Sequence, residues 1–179
     1  EEVEDVARKI EKLLEDVRRI DKEISDRNRE LLKEVRKIDE KILREIEKLL
    51  EELRDTATKD SDKRAVTEIV TRVVERVEKL LKESEDIVRE VEERVRRSLK
   101  ESRRILEEVV RRVKELLERK LGNTEEAERI KRELDRIRKE SEETVKENEE
   151  RLRRIKEESR RSVERARTEL KRIEDEVRK

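Results

Sequence analysis

Apolar residues in the first third of the chain recur at Val3, Val6, Ile10, Leu13, Val17, Ile20, Ile24, Leu31, Val35, Ile38, Ile42, Ile46, Leu49 and Leu53, with Asn28 in the one gap. Steps of three and four alternate, apart from doubled steps of four at 20-24-28 and 38-42-46. The doubled steps stand 18 residues apart, so five turns use 18 residues, the 3.6 per turn of an ideal helix. A seven-residue repeat imposes a left-handed supercoil and an eleven-residue repeat a right-handed one, whereas 3.6 imposes neither. The pattern predicts helices with little supercoil.

The same period returns twice. The second stripe runs Val66, Val70, Val73, Val77, Leu80, Ser84, Val88, Val91, Val95, Ser98, Ser102, Leu106, Val109, Val113, Leu116, doubled at 80-84-88 and 98-102-106. The third runs Ile130, Leu134, Ile137, Ser141, Val145, Asn148, Leu152, Ile155, Ser159, Val163, Ala166, Leu170, Ile173, Val177, doubled at 137-141-145 and 155-159-163. Two places interrupt the pattern. At Thr58-Lys59-Asp60-Ser61-Asp62 the stripe stops, and Asp60 or Ser61 is placed to cap the next helix. At Leu121-Gly122-Asn123-Thr124, the single glycine suits a left-handed helix end, and Asn123 with Glu126 reads as a capping box. The expected architecture is therefore all-α: three helices at about 3–58, 62–121 and 124–178. Each has ~57 residues and is ~85 Å long at 1.5 Å per residue. Loops this short make successive helices antiparallel neighbours. The fold expected is one elongated up-down-up three-helix bundle, a single domain spanning 1–179.

Composition removes most chemistry. Charged residues make up 59% of the chain, yet 53 basic and 53 acidic side chains balance. High charge with low apolar content can signal disorder, but here the apolar residues keep helical spacing, which points to long helices. Without histidine or cysteine there is no ordinary zinc site, no nucleophile–base pair and no disulfide. Glu142, Glu143 and Glu147 flank the stripe, where they form solvated pairs with Lys and Arg. Arginine pairs at 96–97, 103–104 and 153–154 are interleaved with acids and lack stacking aromatics, so a solvated face outweighs a nucleic-acid surface. No apolar run exceeds two residues, too short for a membrane span, and no secretory signal is seen. The expectations are no enzyme activity, no cofactor, no metal, no small-molecule substrate, no nucleic acid and no membrane, in a soluble chain. The first segment is net acidic and the second net basic, which favours their pairing.

Polar residues on the inward faces are the most specific feature after the period. In an antiparallel hairpin, positions meeting across the first two helices sum to about 121, and across the last two to about 245. Ser98 then lies level with Asn28, Ser25 and Asn148; Ser102 with Ser141 and Thr144; Ser84 with Ser159 and Ser162. One reading is a partly wet bundle edge. The favoured one is a set of buried hydrogen-bond layers, in which an orphaned polar group costs ~1–3 kcal/mol and so penalises wrong registers.

These features together resemble parametrically designed de novo helical bundles with buried hydrogen-bond networks. The likeness rests on the undrifting period, the Glu/Lys/Arg surface, the short capped loops and the aligned Ser and Asn positions. Natural three-helix rods such as spectrin repeats are the rival, and their marker tryptophans are missing. The resemblance implies a structural scaffold or self-assembly component that needs no partner. An asymmetry supports an alternative. The third helix holds 12 apolar residues against 20 and 22 in the others. Extra apolar residues flank the stripes at Leu14, Leu32, Leu43, Leu50, Leu81, Leu99, Val110 and Leu117. Either the first two helices pack these flanks on each other, or they keep a surface for a further helix from a second copy or another designed bundle.

Overall fold

The computed structural model describes the backbone of residues 2–59 and 62–178 and the side chains of 2–56 and 62–177. Three helices, α1 (Glu2–Lys59), α2 (Lys63–Leu116) and α3 (Glu125–Arg178), account for nearly all of them, and a π-helical turn, Leu117–Leu121, prolongs α2. No strand occurs among the described residues. Contacts gather the chain into two compact units, each drawing a segment from every helix. Unit 1 is Glu1–Glu30 with Glu93–Arg151, and unit 2 is Leu31–Glu92 with Leu152–Lys179.

Within unit 1, α1 and α2 run antiparallel, since Asp21 meets Ser102 and Asn28 meets Ser98. There α1 and α3 run parallel, Glu11 pairing with Arg129 and Arg18 with Glu140. Unit 2 repeats both relations through Asp39 with Ser84, Glu45 with Arg76, and Arg36 with Glu158. Each unit has its own apolar core. Ile10, Leu14, Val17, Val113, Ile130 and Ile137 centre the first; Ile46, Leu53, Val77, Leu81, Leu170 and Ile173 centre the second. Burial of each such side chain is worth ~1.5–3 kcal/mol. That far exceeds the few tenths by which valine disfavours a helix, and it holds the valine-rich α2 helical.

The inward faces of α1 and α2 keep much of the expected stripe and take in its flank as well. On α3 the buried positions follow the predicted stripe. On α1 the flank residues Leu14, Leu32 and Leu50 are buried together with Ile10, Val17, Val35, Ile46 and Leu53 of the stripe, whereas Leu13, Leu31 and Leu49 are half-buried and Ile38 is 44% exposed. On α2, Leu81, Leu99, Val110 and Leu117 are likewise buried. The period survives, because 14, 32 and 50 are again 18 apart, and the buried face is wider than the stripe alone. The reason is geometric. Two adjacent apolar positions both fit a helix face about 100° wide, so either or both can enter the core, as Leu80 and Leu81 both do.

The helix ends show where local chemistry acts. Asp62 accepts a hydrogen bond from the Arg64 N–H at 3.1 Å, so it caps α2. The capping expected of Asp60 or Ser61 lies outside the described residues. Gly122 has φ 55° and ψ −128°. The positive φ is as expected, but ψ is far from that of a left-handed helix, and only glycine adopts this region at little cost. Its N–H donates to Leu117 O at 2.9 Å, closing the widened turn. The cap of α3 is Thr124, not Asn123. Thr124 Oγ1 accepts from the Ala127 N–H at 3.2 Å, and Glu128 N donates to Thr124 O. With Ala127 three residues after the cap, no carboxylate completes a capping box.

Candidate functional site

The core polar residues fall into three layers, and their order follows from the helix period. In unit 2, Ser84 on α2 is fully buried and donates to the Asp39 carboxylate of α1, itself only 8% exposed; Ser159 on α3 lies 3.5 Å from the Ser84 hydroxyl. In unit 1, eighteen residues away on each helix, Ser102 donates to Asp21 at 2.5 Å, and Ser141 is buried. Asp21 and Asp39, Ser84 and Ser102, and Ser141 and Ser159 occupy equivalent positions in the two layers.

The third layer, also in unit 1, is made differently. The Ser98 hydroxyl lies 3.0 Å from Asn28 Oδ1 and 2.9 Å from Val95 O, so its one proton is shared between them. Asn148 Nδ2 donates to Thr144 O at 2.7 Å and to Ser25 Oγ at 3.3 Å. Asn28 Nδ2 and Asn148 Oδ1 are buried with no partner, one a donor and the other an acceptor. This layer costs stability where the serine–aspartate layers need not.

Several expected members stand elsewhere. The Thr144 hydroxyl donates to Glu140 O of its own helix at 3.0 Å instead of reaching another helix, a common arrangement for threonine in a helix. Ser162 is half-buried at a groove between α1 and α3. The expected docking row is not an open surface. Leu14, Leu32, Leu50, Leu81, Leu99, Val110 and Leu117 are all buried within their own units, and Leu43 is half-buried. The wide inward faces of α1 and α2 are the cause. These flank residues join the core beside stripe residues such as Ile10, Val17, Ile46, Leu53, Val77 and Val113.

Asp21 and Asp39 were missed by hydrophobic patterning, because a carboxylate does not register as a core residue. Their 18-residue separation matches that of Ser84 and Ser102, and that coincidence was the available signal. Elsewhere the carboxylates serve surface ion pairs. Hydrogen bonding from Arg104 holds Glu101 below the usual carboxylate range, and Arg160 does the same for Glu157. Arg18 joins Glu133 at 2.6 Å and Glu140 at 3.2 Å, and Arg36, eighteen residues on, joins Glu158, eighteen residues after Glu140, at 2.5 Å. Among the described residues no cluster of three His, Cys, Asp or Glu is placed to hold a metal ion, and no helix is long and apolar enough to cross a membrane.

No family model and no curated protein matches the chain. Among solved structures, a computationally designed three-helix bundle is similar to it, at 22% identity and a TM-score of 0.48, over 99% of this chain and 87% of that one.

Proposed function

We propose that this chain is a designed structural scaffold, a three-helix building block whose buried polar layers specify how its helices pair. The observation that carries this reading is the recurrence of one constellation at an 18-residue interval. Asp21 with Ser102 and Asp39 with Ser84 repeat in the core, and Arg18 with Glu140 and Arg36 with Glu158 repeat at the surface. Repetition of both core and surface is what a calculated helix geometry produces. A site for catalysis would instead break the repeat at one place, gathering titratable groups with shifted pKa values in a cleft. The charged residues here are mainly spread as solvent-screened surface pairs.

The same reading makes the chain complete as a fold by itself. All the residues expected to receive an incoming helix are already buried except the half-buried Leu43, so burial favours a self-contained bundle over one half of a larger one. Light scattering in solution tests this. The scaffold reading expects one species of 21.9 kDa across a wide concentration range. A stable multiple of that mass would replace it with an assembly component.

A further inference from the structure

Unit 2 carries a groove of about 840 Å³ between α1 and α3, and unit 1 carries one of about 210 Å³ between the same helices. Their linings correspond at a spacing of two repeats, 36 residues. Leu14, Glu15, Arg18, Arg129 and Glu133 in the small groove are matched by Leu50, Glu51, Arg54, Arg165 and Glu169 in the large one, with no change of residue type. Even the ion pair at the rim repeats, as Arg18 with Glu133 and Arg54 with Glu169. One matched position differs: Ile130 in unit 1 is Ala166 in unit 2. Three side-chain carbons are missing there, and the space runs on past Ser162, whose counterpart is the longer Glu126.

We propose that the unit 2 groove is a binding site for a compact, neutral aliphatic molecule, seated where Ala166 leaves the place that an isoleucine side chain fills in unit 1. The floor is apolar, formed by Ile46, Leu50 and Ala166 with Leu43 half-buried beside them. The rim carries both signs of charge, with Arg54 held by Glu169. A charged ligand would compete with that pair, and a neutral one need not. The volume falls within the range of small-molecule sites, about 300–1,000 Å³. The occupant's chemistry is read from the molecule itself, because the equivalent place is taken by a branched aliphatic side chain.

The test is a titration of the full chain with cyclohexanol, followed through the ¹³C methyl signals of isoleucine and leucine. Saturable shifts are expected at Ile46, Leu50 and Leu43 while Leu14 stays unmoved. Ala166→Ile, which copies unit 1, should weaken binding by about tenfold or more. Ile130→Ala should open the smaller groove and bring Leu14 into the response. Absent or non-saturable shifts in the native chain would overturn the site. So would equal binding by Ala166→Ile, or an unchanged Leu14 in Ile130→Ala. None of these outcomes bears on the solution mass, so the scaffold reading stands or falls separately.

Discussion

Replacing Ser84 by alanine removes the hydroxyl that donates to Asp39 and leaves the carboxylate only 8% exposed. A hydrogen bond to a charged group contributes ~1.5–3 kcal/mol, and a charge left buried without it loses the full amount. Ser159, whose hydroxyl lies 3.5 Å from that of Ser84, loses its neighbour too. Against this, alanine is a better helix former than serine by up to ~0.5 kcal/mol. The net expected loss is ~1–2.5 kcal/mol. Ser162→Ala, at a half-buried position outside the layers, controls for propensity and should be neutral or slightly stabilising. The triple change Asp39→Leu, Ser84→Ala, Ser159→Ala removes every polar partner together, and it should recover most of the loss or exceed the native stability. Guanidinium unfolding followed by circular dichroism reads all four proteins, with equal m-values required for the comparison. The reasoning fails if Ser84→Ala costs no more than the Ser162→Ala control, because the layer would then be wet in solution. It fails equally if the triple variant is less stable than Ser84→Ala alone, because the carboxylate would then contribute more than its hydrogen bond.

Three further outcomes follow from local geometry. Gly122→Ala should destabilise by ~1–3 kcal/mol through its backbone angles alone, since an added Cβ meets nothing within 4 Å; thermal unfolding measures it. Thr124→Ala should cost ~0.5–2 kcal/mol as a lost cap, while Asn123→Ala should be nearly silent, and the reverse order would restore Asn123 as the cap. Glu101 and Glu157 should titrate on the acid side of ordinary glutamates in carboxylate NMR, because Arg104 and Arg160 favour their ionised forms. Whatever stability they add is present above the unfolded-state range and is lost as pH falls through their lowered values. Arg104→Gln should return Glu101 to the usual range, and salt should narrow the difference.

The three helices and their antiparallel order could be read from the chain because both rest on spacing, and spacing is explicit in sequence. Phase was not. Leu13 and Leu14, Leu31 and Leu32, and Leu49 and Leu50 are adjacent pairs, and either member gives the same 18-residue rhythm. Which one is buried deeper depends on the neighbouring helices, and that information belongs to the assembled units. The same ambiguity concealed Asp21 and Asp39, which lie next to Ile20 and Ile38, the residues that the apolar pattern selected. The α3 stripe has no such doublets and was read correctly. At Gly122 the need for positive φ was evident, but the wide closing turn depends on where Thr124 begins the next helix. A one-residue choice between Asn123 and Thr124 is below what capping preferences resolve.

Two equal serine–aspartate layers create a difficulty that the asparagine layer removes. If α1 of one chain met α2 of another with an 18-residue slip, Asp21 would find Ser84, or Asp39 would find Ser102, and the apolar positions would match again. Within one chain this cannot happen. Such a slip moves a helix by ~27 Å, and the four-residue step from Lys59 to Lys63 spans at most ~14 Å. Between chains only the core can forbid it. Asn28 has isoleucine 18 residues to either side, at Ile10 and Ile46, and Ser98 has Leu80 and Leu116. Every such slip sets Asn28 against leucine and orphans it at ~1–3 kcal/mol, with a similar loss at Ser98 and Asn148. Asn28 Nδ2 and Asn148 Oδ1 have no partner even in register, so on the scaffold reading the layer would serve by what it excludes. Asn28→Ile with Ser98→Leu and Asn148→Ile should therefore raise the denaturation midpoint. At high concentration the same variant should yield dimers and higher species by light scattering after refolding. A variant that is more stable and still refolds to a single 21.9 kDa species would show that the loops alone set the register.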